Sequence, residues 1–206
     1  MPKNSIDFSD AKQDRSKRTL DDLLEAAYKI IETADTKDFT SRALAEKSGY
    51  SLGTLSKRLG SIDSVFLWAI QKGRERKFNE LVKAMEQFDS QLTVHDFVKT
   101  FIDQGFTGMN TVTPKVMRYY DDRFTRKNGL PVDYFAYVDV LIEPYLEVCR
   151  KDQTNTFRKI AKDEAFLIFR ALLNLTERPF AQGDSIAGSK EHRRIAIDTI
   201  TRLLAK

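Results

Sequence analysis

Hydroxyl and cationic side chains recur near residue 55 at spacings that place them on one side of a helix. Thr54, Lys57 and Arg58 are three and four residues apart, so in a helix they project in similar directions. The opposite side carries apolar residues at positions i, i+3 and i+7, namely Leu52, Leu55 and Leu59. Hydroxyl and cationic groups bind phosphate oxygens and base edges. We therefore expect this helix to contact a nucleic acid while its leucines pack inward.

Three further residues nearby have properties that suit contact with phosphate. Ser51 is placed to cap the helix, which leaves amide N–H groups at the positive end of the helix dipole. Gly53 has no side chain, so backbone could approach a phosphate closely there. Arg42 lies on the preceding short helix, where such motifs cross the sugar–phosphate backbone.

The two short helices are joined by the connection Ser48-Gly49-Tyr50-Ser51. We predict Thr40 and Ser51 as their N-caps, and Gly49 as a left-handed residue that ends the first of them. These dimensions are typical of a helix-turn-helix, whose second helix enters the DNA major groove. From the spacing alone, a pair of short surface helices with a solvated charged face is an equally good interpretation.

The sequence gives little support for a catalytic site or a metal-binding site. The chain has one cysteine, Cys149, and two histidines, His95 and His192, which makes a zinc site improbable. Phosphate loops, nucleophile elbows and paired metal-ligand motifs are absent from the sequence. The neighbours Asp121 and Asp122 would point about 100° apart on a helix. We therefore expect no enzyme activity, no metal and no cofactor.

Length and composition limit the broad class. The chain has 206 residues, of which 41% are hydrophobic and 31% charged. No apolar run approaches the roughly 18 residues needed to cross a bilayer. The polar N-terminus and the single cysteine favour the cytoplasm, without contact to a membrane. A net charge of +4 is too small to identify a nucleic-acid binder by itself, although the basic cluster 15–18 and residues 40–60 are locally positive.

Helical periodicity dominates the chain and predicts an all-α fold. We expect residues 1–16 to be disordered and a helix to open at Thr19 with a capping-box variant. The head follows over residues 17–60, and the first part of a long connecting helix spans 61–75. A larger helical domain for ligand binding and dimerisation is predicted over 76–206. The predicted helices after the first are 40–48, 52–59, 62–88, 93–109, 113–122, 132–150, 154–177 and 190–205. We expect Pro144 to kink the helix 132–150. Loops are predicted at 126–131 and 178–188.

The head resembles the TetR family of transcriptional regulators. The resemblance covers about residues 19–70 and is carried by Leu23-Leu24-Glu25-Ala26-Ala27, by the continuous stretch from Thr40 to Leu55, and by Ser61-Ile62-Asp63-Ser64-Val65. It implies an all-α dimer with a DNA-binding head and a larger C-terminal effector domain.

Three positions depart from the family pattern. This chain has Ser56 where the family usually has Tyr, Leu59 where it has Phe, and Ile62 where it commonly has Lys. Two of these positions often contact phosphate in the family, so the resemblance implies fewer backbone contacts here. We expect Lys57, Arg58 and the cluster 15–18 to compensate, and we include Ser56 among the DNA-binding candidates.

A helix over residues 165–173 is apolar nearly all round, so more than one side of it must be covered. One side could face its own core and another a partner subunit. With the last helix, it would give a four-helix dimer interface, as the resemblance also implies. The predicted interface residues are Phe166, Phe169, Leu173, Ile200 and Leu203. The alternative is that both helices belong to the core.

The middle of the chain is rich in aromatic residues, which suit either an ordinary core or the walls of a ligand cavity. The candidate ligand contacts are Phe101, Met117, Tyr120 and Tyr137, with Arg170 as a charged anchor for an anionic ligand. Arg170 could instead pair with Asp139 or Glu143. For each aromatic residue, core packing is the commoner role.

The sequence thus favours a dimeric, sequence-specific DNA-binding regulator, more often a repressor, that binds a palindromic operator in double-stranded DNA. A small-molecule effector would release it. The competing hypothesis is an all-α ligand-binding or protein-interaction module that does not bind DNA.

Overall fold

The computed structural model describes residues 14–33, 36–59, 61–109, 114–125 and 136–206. In this part of the chain the regular structure is helical, apart from an isolated antiparallel bridge between Phe157 and Ala205. The predicted all-α fold class is therefore confirmed. The helices are α1 (Asp14–Thr33), α2 (Ser41–Ser48), α3 (Leu52–Arg58), α4 (Ile62–Glu86), α5 (Val94–Met109), α6 (Pro114–Tyr120), α7 (Ala136–Asp139), α8 (Ile142–Lys151), α9 (Lys162–Gln182) and α10 (Lys190–Leu204).

The described residues form two compact units. The first, here called the head unit, comprises the chain up to Gly73 together with the segment that begins at Arg118. The second, here called the effector unit, comprises Arg74–Met117 and the C-terminal part of the chain. Both α4 and α6 therefore begin in one unit and end in the other. No helix of the described ranges is long and apolar enough to span a membrane.

The head unit begins with α1, which starts at Asp14. The predicted start at Thr19 is wrong, because Thr19 lies inside this helix and is buried. Lys17 and Arg18, which precede Thr19, are good helix formers, so the helix continues through them and Thr19 does not act as an N-cap. Residues 1–13, most of the predicted disordered tail, lie outside the described residues.

The core of the head unit is built from the apolar stripe of α1 and its partners on the following helices. Leu23, Leu44 and Phe66 are fully buried. Phe39 follows a short 3₁₀ turn (Thr36–Asp38) and stacks on Phe66 with ring centroids 4.4 Å apart. Buried aromatic pairs of this kind add about 0.5–1.5 kcal/mol beyond the area that they bury.

In the effector unit, the predicted helix over 132–150 is broken in two. α7 ends at Asp139, Val140 and Leu141 form a turn, and α8 begins at Ile142. Pro144 does not kink a continuous helix as predicted. It lies in the first turn of α8, where its missing N–H has no intrahelical partner to lose.

α9 starts and ends later than predicted. It begins at Lys162, because residues 152–161 form an irregular loop, and it continues to Gln182. The predicted loop from 178 is wrong up to Gln182, since the helix accommodates Pro179 in its last turns and buries Phe180. Gly183, with a φ of +75°, then ends the helix in the left-handed conformation.

Aromatic rings fill the core of the effector unit. Tyr145 is fully buried and lies 5.1 Å from Phe169 and 5.7 Å from Phe97, measured between ring centroids. Burial raises the pKa of the Tyr145 phenol. α5, which carries Phe97, packs against α9 and α10 and so holds these rings together.

His192, at the start of α10, is buried and joins three parts of the effector unit. Its Nδ1 accepts a hydrogen bond of 3.2 Å from the Gly188 N–H. Nε2 must therefore carry the proton, which it donates to the Leu175 carbonyl oxygen at 2.9 Å. In this tautomer His192 satisfies two backbone groups at once, so these two hydrogen bonds explain its role in the structure.

Candidate nucleic-acid interface

Local capping interactions fix the two short helices. The Thr40 hydroxyl accepts a hydrogen bond of 3.2 Å from the Ala43 N–H and caps α2. At the other end, Gly49 has a φ of +76° and donates its N–H to the Ala45 carbonyl oxygen at 2.9 Å. Both predicted roles are confirmed. A residue with a side chain would be strained in this left-handed conformation. Gly49 therefore allows the chain to end α2 and turn toward α3.

α3 begins at the predicted N-cap, Ser51. The Ser51 hydroxyl accepts a hydrogen bond of 3.2 Å from the Thr54 N–H, and the hydroxyls of these two residues lie 3.0 Å apart. The Thr54 side chain is therefore already engaged with the cap and is half-buried. A contact between Thr54 and a base edge would have to share that hydroxyl.

The inward side of α3 is formed by two of its three leucines. Leu55 and Leu59 are buried, with 3% and 5% of their surface exposed, but Leu52 is 52% exposed. The prediction that Leu52 packs inward is wrong. Angular position does not explain this exposure, because seven residues at about 100° each place Leu52 within about 20° of Leu59 around the helix axis. Leu52 is instead the first residue of α3, at the end of the apolar stripe.

The remaining predicted contacts are distributed over the outer surface of α2 and α3. Arg42, Ser51, Gly53, Ser56 and Lys57 are exposed. A Cβ placed on Gly53 would meet only the Ser51 hydroxyl, at 3.8 Å, so packing within the head does not require glycine there. The side chain of Arg58 lies outside the described residues, although its backbone closes α3.

Two side-chain hydrogen bonds orient the helix-turn-helix, and the sequence analysis missed both. Tyr50, in the turn, donates its phenolic hydrogen to Asp22 of α1 over 2.8 Å. Asp63, in the first turn of α4, accepts a hydrogen bond of 2.7 Å from the Tyr119 phenol. The partners are 28 and 56 residues apart, so no local pattern in the sequence could have revealed either pair.

The Asp63–Tyr119 pair belongs to a small cluster at the end of α6. The Arg123 Nε lies 3.3 Å from Asp63 Oδ1, and its guanidinium stacks 4.6 Å from the Tyr119 ring. The same ring meets Phe39 edge-on at 5.1 Å. Burial and the neighbouring Asp63 carboxylate raise the pKa of Tyr119. The π-helical turn Asp121–Thr125, which follows α6, presents Arg123 in this cluster.

No protein-family model matches the sequence, and no curated protein matches it either. Solved structures do. A protein from Mesorhizobium loti MAFF303099, assigned to the TetR family of transcriptional regulators, superimposes with a TM-score of 0.63 over 94% of this chain and 100% of its own, at 12% identity. The chain has the fold of TetR-family regulators. A second protein so assigned, from Shewanella sp. PV-4, gives a TM-score of 0.55 over 91% of this chain and 98% of its own, also at 12% identity.

In the TetR-like fold of this chain, the effector unit contains a cavity of about 110 Å³. Among the ligand candidates, Phe101 lines it, whereas Met117, Tyr120, Tyr137 and Arg170 do not. Met117 is buried in the core beside it, and Tyr120 belongs to the head unit. Tyr137 packs edge-on against Phe78 at 5.1 Å.

Arg170 has a protein partner. Its Nε and one terminal nitrogen donate to the two oxygens of Asp139 at 3.0 and 2.6 Å. Asp139 is one of the two carboxylates, with Glu143, that the sequence analysis named as possible partners of Arg170. The bidentate pair accounts for Arg170, within the apolar stretch 165–173 of α9, without a ligand.

The predicted dimer residues divide into two groups. Phe169, Leu173 and Ile200 are buried in the core of their own chain, and all three line the cavity. Their side chains are therefore not on the surface of the effector unit. In the second group, Phe166 is half-buried on α9 and Leu203 is 38% exposed on α10. Leu167, which was not predicted, is 72% exposed on α9.

Side chains that could bind a metal ion were also compared in position. Among residues that the structure describes, no group of three or more His, Cys, Asp or Glu side chains is arranged to hold a metal ion.

Proposed function

We propose that this protein is a cytoplasmic, sequence-specific DNA-binding regulator of transcription. The observation that carries the proposal is the exposed face of α3, where Ser56 and Lys57 project from a helix whose opposite face is anchored by Leu55 and Leu59. A short helix held rigidly in this way is suited to the major groove. The shared TetR-like fold supports the same function, and by resemblance to that family the proposed action is repression.

The experiment is a gel-shift assay with double-stranded DNA from upstream of the protein's own gene, comparing the wild type with Lys57→Ala. If Lys57 contacts a base edge, its loss weakens binding by about 1–3 kcal/mol. If it contacts a phosphate, the salt dependence of binding falls by about one unit of slope.

The matched control is Lys159→Ala, which removes an exposed lysine from a loop of the effector unit. Neither substitution should alter thermal stability, because both side chains are exposed. Equal affinity and equal salt dependence for the wild type and Lys57→Ala would remove α3 as the recognition helix. A wild type that binds no DNA would favour the alternative of a helical ligand-binding or interaction module.

We further propose that two chains associate through the exposed faces of α9 and α10 and so bind a palindromic operator. Leu167, with 72% of its surface exposed, is the exposed large apolar side chain of α9, and Leu203, at 38%, is that of α10. The two recognition helices of a dimer must reach major-groove segments about 34–36 Å apart, or a multiple of that distance.

Leu167→Glu tests this association without disturbing the core, since the side chain is exposed in the single chain. We expect light scattering to give the mass of a monomer for Leu167→Glu and of a dimer for the wild type. Val140→Glu, at an exposed turn residue between α7 and α8, is the control that should remain dimeric. A dimeric Leu167→Glu would show that a different face is used.

A small molecule in the cavity of the effector unit would control DNA affinity. Such coupling typically amounts to about 1–3 kcal/mol, and it must be reciprocal, so operator DNA should weaken ligand binding by the same factor.

A further inference from the structure

The cavity of the effector unit lies among α4, α5, α7, α9 and α10, and it is almost entirely apolar. Fifteen of the nineteen described residues that line it carry hydrocarbon, thioether or phenyl side chains. Phe97 and Phe101 form one aromatic wall, with ring centroids 4.4 Å apart. Leu173 and Ile200 contribute part of the aliphatic wall. An ionised ligand buried against these walls would lose its hydration without finding partners.

The polar part of the lining consists of Lys77, Thr176 and Glu177. The Thr176 hydroxyl donates to the Leu172 carbonyl oxygen within α9, at 2.9 Å. The Lys77 Nζ donates to the Gly105 carbonyl oxygen at 3.2 Å. Burial lowers the pKa of Lys77, and the nearby Glu177 carboxylate acts in the opposite direction. Because Lys77 and Glu177 carry opposite charges, this end of the cavity has no net charge to attract an ion.

The volume limits the size of an occupant. An engineered apolar cavity of about 150 Å³ accepts benzene. The present cavity, at about 110 Å³, is somewhat smaller. A single six-membered ring would fill it after small rotations of the lining side chains, whereas a fused polycyclic molecule would require the helices to separate.

We propose that this cavity binds an uncharged, largely apolar molecule of about six to eight non-hydrogen atoms, such as a substituted benzene with at most one hydrogen-bonding group. Lys77, which has donors beyond the one given to Gly105, can provide one hydrogen bond to an acceptor on that ring. The consequence for transcription rests on the proposed function, but the binding itself does not.

Gly105 gives a direct way to fill the cavity. It lines the space, lies inside α5, and a Cβ placed on it would meet no atom within 4 Å. Gly105→Leu should therefore occupy volume that the ligand needs. Leu173→Phe enlarges a second side chain of the wall. Leu92→Phe makes the same chemical change at a residue that is 41% exposed and does not line this cavity, and serves as its matched control.

The experiment measures binding to the full-length protein in the absence of DNA, by calorimetry and by ligand-observed NMR. The probes are toluene and phenol, which are neutral, and benzoate and benzylammonium, which carry opposite charges. We expect a Kd of about 1 mM or tighter for the neutral probes, as the size of such ligands allows. Both charged probes should bind at least tenfold more weakly. Gly105→Leu and Leu173→Phe should each lose at least tenfold in affinity for toluene, while Leu92→Phe binds as the wild type does.

Tighter binding of benzoate or benzylammonium than of toluene would overturn the proposal. So would wild-type affinity for toluene in a folded Gly105→Leu or Leu173→Phe protein. If neither variant folds, the comparison of the four probes on the wild type still decides, because it needs no substitution.

A gel shift on the same preparation separates this proposal from the proposed function. A protein that binds toluene in the cavity but no DNA supports the cavity assignment and refutes the regulator. A protein that binds its operator but neither neutral probe overturns the cavity assignment alone.

Discussion

Tyr119→Phe is expected to destabilise the head unit by removing one oxygen atom. In the wild type, the Tyr119 phenol donates a 2.7 Å hydrogen bond to Asp63. The substitution keeps the ring, so the edge-on contact with Phe39 and the stacking of the Arg123 guanidinium remain. Asp63 also keeps Arg123 as an ionic partner at 3.3 Å. The change in stability therefore reports the hydrogen bond rather than the packing.

The magnitude follows from the exposure of the partners. A hydrogen bond to a charged group contributes about 1.5–3 kcal/mol when both partners are buried. The Asp63 side chain is 41% exposed, and water can replace part of the lost interaction. We therefore expect the free energy of unfolding to fall by about 1–1.5 kcal/mol.

Urea unfolding, followed by tryptophan fluorescence, measures this loss. The chain has one tryptophan, Trp68, and it lies on the part of α4 that belongs to the head unit. The signal therefore reports the unit in which the substitution is made. Tyr50→Phe is the matched control, since it removes the more exposed 2.8 Å hydrogen bond to Asp22 and should cost less.

A double-mutant cycle of Tyr119→Phe with Asp63→Ala isolates the pair. We expect a coupling energy of about 1 kcal/mol, within the range found for residues in direct contact. A coupling energy of zero, or a Tyr119→Phe protein with the urea midpoint of the wild type, would refute the assigned hydrogen bond and its role in the head.

Two further predictions concern the stability of the whole chain. Gly105→Ala should raise it by about 0.5–1 kcal/mol, because alanine is favoured over glycine inside a helix and its Cβ meets no neighbour within 4 Å; a lower thermal midpoint would contradict the open space described at this residue. Burial raises the pKa of the phenols of Tyr119 and Tyr145. Their contribution to stability is complete below the unfolded-state pKa of about 10, and above it each phenol lowers stability by up to about 1.4 kcal/mol per pH unit, since the unfolded state releases its proton first. Urea midpoints from pH 9 to 11 should fall less steeply for Tyr145→Phe than for the wild type, and equal slopes would argue against a raised Tyr145 pKa.

The helices of the head could be predicted from the sequence because their ends depend on local interactions. Thr40, Ser51 and Ser61 each accept a hydrogen bond from the N–H three residues later, and Gly49 needs only its own left-handed conformation. Such interactions are visible in any window of four or five residues. The predicted bounds of α2 and α3 consequently agree with the structure to within about one residue.

The start of α9 could not be predicted in this way, since the preceding loop is fixed by distant residues. The Thr156 hydroxyl accepts a hydrogen bond from the Val94 N–H, 62 residues away. The Arg158 N–H donates to the Leu204 carbonyl oxygen at 2.8 Å. These bonds tie the irregular segment to the start of α5 and to the end of α10, whereas the apolar spacing alone predicts a helix there.

The cavity illustrates a second limit. Aromatic composition pointed to the middle of the chain, yet of the proposed ligand contacts only Phe101 lines the cavity. Periodicity shows which residues lie on the buried side of a helix. It does not show which buried residues meet an imperfectly filled volume, because that depends on how five helices fit together. For the same reason periodicity does not show that Phe169 and Ile200, both predicted at a dimer interface, pack in the core of their own chain.

The head unit is assembled from two separate stretches of sequence. Tyr119 and Arg123 come from the second stretch, which begins at Arg118, and both contact Asp63 in the first. A cut after Gly73 would therefore release a fragment without two of its own packing and charge partners. Recombination between related genes meets the same obstacle, since one crossover cannot exchange this head intact. A chimera that acquires a foreign head must also receive the foreign counterpart of residues 118–125, and that requirement restricts how the head unit can be exchanged between related chains.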